Sequence, residues 1–444
     1  MGDAIAFVHD LTWSDLPDAA QKQVELSLLD LIGVGAGGLA TRLSQIIRQH
    51  AHEEFGGAIP MLFDGRTVSA TGAALAAGMT IDALDAHDGF NPAKGHIGAP
   101  MFPAALALGH EASVSGRAFL EAIAMGYEFG ARASVAQHAT VPDYHTSGSW
   151  GAVTAAAAGA RLLGMDRDTT RHTLGIAEYH GPRSQMMRCI DHPTMVKDGA
   201  GWGAMTGVSA VKLARLGFTG APAITVEQSP EFWADLGTRW YVQEQYYKPY
   251  AVCRWAQPPM EAAIALQAKH GFSATEITAI DIETFHESVR LAMPNPTNTE
   301  EAQYSTSFPV AIALSRGRVT PNDISDAATQ DADFQALSSK ITMKENDTAN
   351  AAFPQKRFAR VRIRTASGGD FQSDWHEPKW DHTAPPTEGE LRAKFHALAD
   401  PVLGRVSADH IEDTLANLIA LPLSALSDQL LRPINASTTK GNAP

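Results

Sequence analysis

The chain has 444 residues, 44% of them apolar and 19% charged, which is enough for two or three domains around a sizeable core. Its formal net charge of −14 argues against nucleic acid and anionic membrane as partners, because both repel an acidic surface. Two cysteines, Cys189 and Cys253, lie outside any C-x-x-C pair, so neither a disulfide framework nor an iron–sulfur cluster is expected. Met1 to Asp10 lacks the basic-then-apolar pattern of a signal peptide, and no window of about 18 residues is apolar and uncharged. The expected location is the cytoplasm.

In chain order, the first 250 residues or so read as helices. Pro17 to Val34 carries Val24, Leu28, Leu31 and Ile32 at helical spacing, with Pro17 suited to a first turn and glycines at 35, 37 and 38 expected to stop the helix. Ser69–Leu84, Gly151–Leu163 and Gly199–Leu216 are rich in Ala and Gly. Small residues on every side let helices approach closely, so all three are expected inside a bundle. The texture changes after Gly271. Ile277 to Thr284 alternates as a strand does, and Phe358–Thr365, the turn Ser367-Gly368-Gly369 and Phe371–Trp375 form a hairpin pattern. Ser305–Leu314 reads as a helix between these strands. From Glu388 the pattern is helical again, with Leu391, Phe395 and Leu398 on one face and Ile411, Leu415 and Leu418 on another. The expected fold is mainly α, with an all-helical domain from 1–265 and 388–444 and a smaller inserted α+β domain at 266–387. Only the tail, Ala436 to Pro444, has the composition of a disordered segment.

Four polar clusters interrupt this pattern. The first holds Asp82, Asp85, His87, Asp88, Lys94 and His96 between two helices, a density of acid–base groups suited either to an active-site loop or to a solvated, capped turn. Asp85, His87 and His96 are also metal-ligand types, but no H-x-x-x-H or H-E-x-x-H spacing supports a metal, and none is expected. The second, Asp143 to Ser149, sets Tyr144 and His145 before a helix N-terminus, which favours anions; a serine cap and a structural histidine are the alternatives. The third runs from Arg183 through Arg188 to Lys197, which is either a surface charge or a base whose proton affinity burial lowers. The fourth, Tyr246 to Trp255, places Lys248 and Arg254 among aromatics, as a hinge or as a carboxylate grip. There is no G-x-G-x-x-G after a strand, no Walker loop and no G-x-S-x-G elbow, so nucleotide binding and serine hydrolysis are not indicated.

Taken together and in order, these pieces resemble the MmgE/PrpD family. They are Leu28 to Val34, the loop ending His96-Ile-Gly-Ala-Pro, Tyr144-His145, Met195-Val196-Lys197, Lys248 to Arg254 and Asn295-Pro296-Thr297. The resemblance spans about residues 12–430. It implies the same helical domain with an inserted α+β lid, a homodimer, no cofactor and a small polycarboxylate substrate. Asp85, His96, His145 and Lys197 fall at family active-site positions. Three departures stand out: Gly89 where the family's lyases carry threonine, Gln257 where they carry histidine, and Phe308 where they carry tyrosine. The resemblance therefore implies a cofactor-independent epimerisation of iminodisuccinate. The alternative is a dehydratase or decarboxylase acting on a small tricarboxylic acid, and a non-catalytic scaffold is a third possibility. On this view Lys197, His145, His96, Asp85 and Tyr144 move or position protons at the carbon next to a carboxylate, and Arg183, Arg188, Arg254, Lys94 and Gln257 hold the carboxylates.

Overall fold

The computed structural model describes residues 3–434; the tail Ala436 to Pro444 lies outside them. The chain is mainly helical, and its sheets are small. The helices that frame the site are α1 (Asp18–Gly38), α2 (Ala70–Asp82), α3 (Gly98–Glu111), α4 (Gly116–Thr140), α5 (Gly148–Leu162), α6 (Arg167–His180), α7 (Met186–Asp191) and α8 (Ala200–Arg215). Helix α2 is apolar all round and buried at nearly every position, so it runs through the middle of the bundle, against α1, α3 and α8. The N-termini of α2 and α4 are closed by Ser69 and Ser115, whose hydroxyls accept backbone N–H bonds from Gly72 and Ala118.

Two expectations about the bundle need correcting. The glycines at 35 and 37 do not stop α1, which continues to Gly38. They are contact points: a Cβ on Gly38 would sit 2.1 Å from the carbonyl oxygen of Thr80, so only glycine lets α1 and α2 touch there. Helix α8 is not buried all round either. One face packs on α2 and α5, while Trp202 and Leu213 on the other are exposed, with Val196, Leu216 and Phe218 beside them.

The smaller sheet lies beyond α9 (Gln257–His270). Its order is β2 (Ile341–Glu345), β1 (Ile277–Thr284), β3 (Ala359–Thr365), β4 (Asp370–Gln372). Strand β2 runs parallel to β1, with Ile280 opposite Ile341; β3 is antiparallel to β1, with Ile282 opposite Val361, and the hairpin β3–β4 is antiparallel, with Ile363 opposite Phe371. Ile280, Ile282, Val361 and Ile363 point into the core with α9 beneath them. The arginines that alternate with them face outward and pair across strands, Arg360 with Glu283 at 2.8 Å and Arg364 with Asp281 at 2.7 Å. Strand β2 escaped the sequence pattern because it is an edge strand, half-buried at Ile341 and Met343 only.

Helix α10 (Glu388–Leu403) returns to the bundle and packs along α1, with Leu391 and Phe395 buried. Phe395→Ala would cost about 3–5 kcal/mol by leaving a cavity there. The same helix buries Lys394, which pairs with Asp30 at 2.6 Å and donates to the Ala86 carbonyl. Thus α10 holds the 82–98 loop from behind. Among the described residues no single helix is long and apolar enough to cross a membrane.

Candidate active site

The 82–98 loop begins where α2 ends. Asp85 and Lys94 sit in the left-handed region at φ of 47° and 52°, as does Lys197 at 50°, so three of the six non-glycine residues with positive φ among those described fall in this neighbourhood. Each costs on the order of 1–2 kcal/mol, a strain that persists where the surroundings impose the conformation. Between Asp85 and Lys94, Gly89 and Phe90 pair with Tyr246 and Gln245. That short ladder brings Lys248 onto the loop, and its ammonium lies 2.5 Å from Asp85 Oδ1 and 2.7 Å from the Asp85 carbonyl. Burial alone would raise the Asp85 carboxyl, but Lys248, then His96 and Lys197, outweigh it and hold the group below the usual carboxylate range.

Two histidines hang from one acceptor. His96 Nδ1 lies 2.6 Å from the Asp88 carbonyl and His87 Nδ1 lies 3.3 Å from it. A carbonyl only accepts, so both Nδ1 atoms carry hydrogen and both Nε2 atoms present lone pairs. His87 Nε2 faces Asp82 at 3.3 Å, and His96 Nε2 lies 3.5 Å from Asp198 and 3.7 Å from Asp85. Burial, then Lys248, pushes His87 down to about 3, and burial, then His87 and Lys248, pushes His96 well below its ordinary value. Both imidazoles are neutral at physiological pH. Burial also raises Asp82 to about 6 and, with Asp82 and Asp85 beside it, Asp198 to about 7.

Asp198 and Lys197 stand at the start of α8, behind the left-handed Gly199. The first amide of α8 donates to Asp82 Oδ2 at 3.3 Å, which anchors the helix to the loop. Ser147, at the N-terminus of α5, makes no cap bond. Its hydroxyl donates to Asp198 Oδ2 at 2.9 Å and accepts from the His96 N–H at 3.0 Å.

These groups surround a narrow cavity lined on its acidic side by Asp85, Asp198 and His96. Lys94, Lys248, Arg254 and Arg357 supply positive charge, and Tyr144, Tyr246 and Tyr304 supply hydroxyls. Four cations in a small space invert the field of an acidic protein and suit a polycarboxylate. Arg254 stacks on Tyr246 at 3.6 Å and pairs with Asp381 at 2.6 Å; burial lowers it to about 10. Arg357, from the 266–387 segment, is buried and donates to Asn91 at 2.8 Å, while its Nε finds no partner. On the other side of Lys197 and Cys189 a mostly apolar groove of about 700 Å³ opens, lined also by Arg188, His192 and Trp202. The acid–base cluster belongs to the narrow cavity, not to this groove.

The expected residues thus separate into groups. Asp85, His96, Tyr144, Lys94 and Arg254 line the cavity. Tyr144 donates to the Lys94 carbonyl, and the Lys94 ammonium sits 4.5 Å over its ring. Lys197 is not among the residues lining it: 1% exposed, it borders the apolar groove, donates to Gln303 at 2.6 Å and lies 4.7 Å over the ring of Tyr304, which does line the cavity. His145 is buried but does not line the cavity; its Nδ1 donates to the Asp143 carbonyl at 2.8 Å. Gln257 is buried and donates to the Val252 carbonyl at 3.3 Å, also away from the lining. Arg183 and Arg188 are exposed, Arg188 on the apolar groove.

Asp198, Arg357 and Tyr304 were not singled out from the sequence; Tyr246 was noted only as part of an aromatic stretch, and Lys248 as a hinge or a carboxylate grip rather than as the partner of Asp85. For Asp198 a signal existed, a carboxylate beside a lysine at a glycine-opened helix start. For Arg357, in a stretch of ordinary surface composition, none did. Two of the departures now have a physical reading. A Cβ at Gly89 would lie 2.3 Å from the Tyr246 ring, so that ring fills the space a side chain at 89 would take. Phe308 is buried in the core against Phe334, and Tyr304, just before it in sequence, turns its ring to the cavity instead.

Asp85, His87 and His96 offer donor atoms within 4.8 Å of one another, the spacing of a metal site. Each is committed otherwise, however: Asp85 to the Lys248 ammonium, His87 to Asp82, and His96 to a position between two carboxyls. This set fits proton transfer better than ligation.

Cis-aconitate decarboxylase from Aspergillus terreus is 22% identical over 97% of this chain and 95% of its own length. A cis-aconitate decarboxylase-like protein from Aspergillus oryzae is 24% identical over 93% of each. A 2-methylcitrate dehydratase from Cupriavidus necator is 28% identical over 45% of each. The MmgE/PrpD N-terminal domain model matches residues 3–236 and the C-terminal domain model matches residues 250–418. With nearly its whole length covered by the two, the chain belongs to the MmgE/PrpD family.

Proposed function

We propose that this protein is an enzyme that moves a proton at the carbon next to a carboxylate of a small polycarboxylate, and that its reaction is the cofactor-independent epimerisation of iminodisuccinate. The observation that carries this reading is the neutral His96, which lines, with its Nε2 beside Asp198 and Asp85, the same cavity as Lys94, Lys248, Arg254 and Arg357. Taking a proton from such a carbon places a second negative charge beside the first. Preorganised cations are the largest available source of relief. Asp85, held ionised by Lys248, stabilises the imidazolium that forms. Lys197 lies over the ring of Tyr304, which lines the cavity, and Tyr144 steadies the Lys94 turn. Gly89, Gln257 and Phe308, which depart from the lyase pattern, favour epimerisation.

A second reading, elimination or decarboxylation of a tricarboxylic acid, is favoured by the names of the relatives. One experiment separates the two. The enzyme is incubated in heavy water with single stereoisomers of iminodisuccinate, and in parallel with cis-aconitate and 2-methylcitrate. Epimerisation exchanges the α-hydrogen for deuterium and interconverts stereoisomers, as seen by proton NMR and chiral chromatography. A lyase instead releases carbon dioxide or forms an unsaturated acid with new ultraviolet absorbance. Absence of any reaction with all three sinks both readings.

Residues 266–387 are proposed to act as a lid over the helical part, since Arg357 and Asp381 come from them and meet Asn91 and Arg254. A homodimer is proposed through the apolar side chains exposed on α8 and just past its end, among them Trp202, Leu213 and Leu216, with the cytoplasm as the proposed location. Sedimentation equilibrium tests the first, and Leu216→Asp should weaken association.

A further inference from the structure

We infer that Asp198 is a second catalytic residue of this cavity, the acid that delivers a proton to the substrate after His96 has removed one. The inference rests on the proton-transfer reading above and adds a residue that the sequence pattern does not single out.

The geometry points to Asp198 in three ways. It lines the cavity directly, whereas Lys197 beside it borders the apolar groove. Only one of its oxygens is engaged: Oδ2 accepts from Ser147 at 2.9 Å and lies 3.5 Å from His96 Nε2, while Oδ1 is buried with no hydrogen-bond partner. The Asp198 side chain is 5% exposed, and an ionised group with an orphaned oxygen at that depth is costly, whereas a protonated one loses less and has a hydrogen to give. Asp85, by contrast, is tied at both its carboxylate and its carbonyl to Lys248 and has no proton to donate.

The charged groups facing Asp198 come from several elements. Asp82 is the last residue of α2, Asp85 lies on the loop after it, His96 farther along that loop, and Lys248 on the segment that pairs with it. Burial, followed by the two carboxylates, holds its proton on up to about pH 7, against the pull of Ser147 and Lys248. The thiols Cys189 and Cys253 and the phenols of Tyr144 and Tyr304 also feel its charge, and burial keeps all four protonated.

The step balances without a co-reactant. His96 Nε2 takes the α-hydrogen as a proton, and the C–H electron pair moves into the enolate of the adjoining carboxylate. In epimerisation the planar enolate turns its opposite face to this adjoining pair before Asp198 O–H gives its proton to the carbon; in elimination the proton goes to the departing hydroxyl, and the C–O pair leaves with the oxygen as water. Asp198 is then ionised beside a His96 imidazolium. Passage of the Nε2 proton to Asp198 Oδ2 restores both groups.

The test uses the full-length enzyme in heavy water with the three probes named above, comparing wild type, Asp198→Asn and Ser147→Ala. The wild-type rate should fall as pH rises through about 7, because the protonated carboxyl is the active form. Asp198→Asn should lower conversion about 100-fold or more with little change in KM, the usual scale for losing a general acid. Exchange of the α-hydrogen, which needs only His96, should fall less than about ten-fold. Ser147→Ala removes a bond that favours the ionised form and should move the alkaline limb to higher pH. The assignment is overturned if exchange and conversion fall by the same factor in Asp198→Asn, if conversion is unchanged, or if the alkaline limb survives in that variant. Should Asp198→Asn not fold, a wild type without an alkaline limb, or a limb that Ser147→Ala leaves in place, overturns it equally. A wild type that exchanges no α-hydrogen with any probe instead sinks the proton-transfer reading itself.

Discussion

Two histidine–aspartate pairs sit side by side in this protein and differ in one respect. His87 with Asp82 and His96 with Asp198 have the same parts: a neutral imidazole, Nδ1 donating to the shared Asp88 carbonyl, and Nε2 turned to a carboxyl whose proton affinity burial has raised. The rings meet edge to face at 4.2 Å. Yet His87 and Asp82 are sealed in the interior and line neither the narrow cavity nor the apolar groove, while His96 and Asp198 border the cavity with four cations. The chemistry of the pair is therefore ordinary. Access beside a positive field is what makes one pair a site and leaves the other as its support.

The largest expected effect separates the pairs directly. His96→Gln should lower kcat about 100- to 10,000-fold, the range for losing a general base. His87→Gln should lower it less than about ten-fold, but should cost about 1–3 kcal/mol of stability through a less well-partnered Asp82. Steady-state kinetics and urea melts of both variants check this. Equal losses of activity would erase the distinction.

Next comes the ion pair beneath the open half. Lys248→Met should destabilise by about 3–5 kcal/mol, because it leaves the Asp85 carboxylate buried without its cation. Adding Asp85→Asn should recover most of that stability but not the activity. A double variant no more stable than the single one would mean that packing, not charge, is what Lys248 supplies.

A smaller effect concerns the cations. Arg357→Ala should raise KM about 10- to 100-fold, equivalent to the 1.5–3 kcal/mol of a charge-assisted bond. Arg183→Ala, exposed and outside the cavity, should change it less than about two-fold. Reversal of that order would move the substrate to the outer groove.

The smallest effect is a pH dependence of stability. Burial raises the Asp88 carboxyl to about 7, so the folded protein binds a proton there that the unfolded chain releases near pH 3.8. This stability is complete at low pH and is lost as pH rises through about 7. The lowered histidines act oppositely: their share is present above the ordinary 6.5 and fades as pH falls towards about 3 for His87. Asp88→Asn should therefore gain melting temperature relative to wild type at pH 8 and gain less or none at pH 5, as read by calorimetry.

Composition and periodicity marked the buried helices and the central strand, because a run such as Ala70–Asp82 is apolar on every face and Ile277–Thr284 alternates, but they missed the edge strand Ile341–Glu345. They also marked the loop that carries Asp85 and His96, since that density of charge cannot be buried without a purpose. Spacing could not say which glycines end a helix. Gly35 and Gly37 continue α1, because what they face lies on other elements. Nor could it find Arg357 or Asp198, or separate Arg254 from Arg183. Proton affinity, access and field at this site depend on groups far apart in the chain: Asp85 with Lys248, Asp88 with Tyr127, Asn91 with Arg357. Those meetings are set by packing of helices and of the 89–90 ladder, and only the tertiary structure decides them.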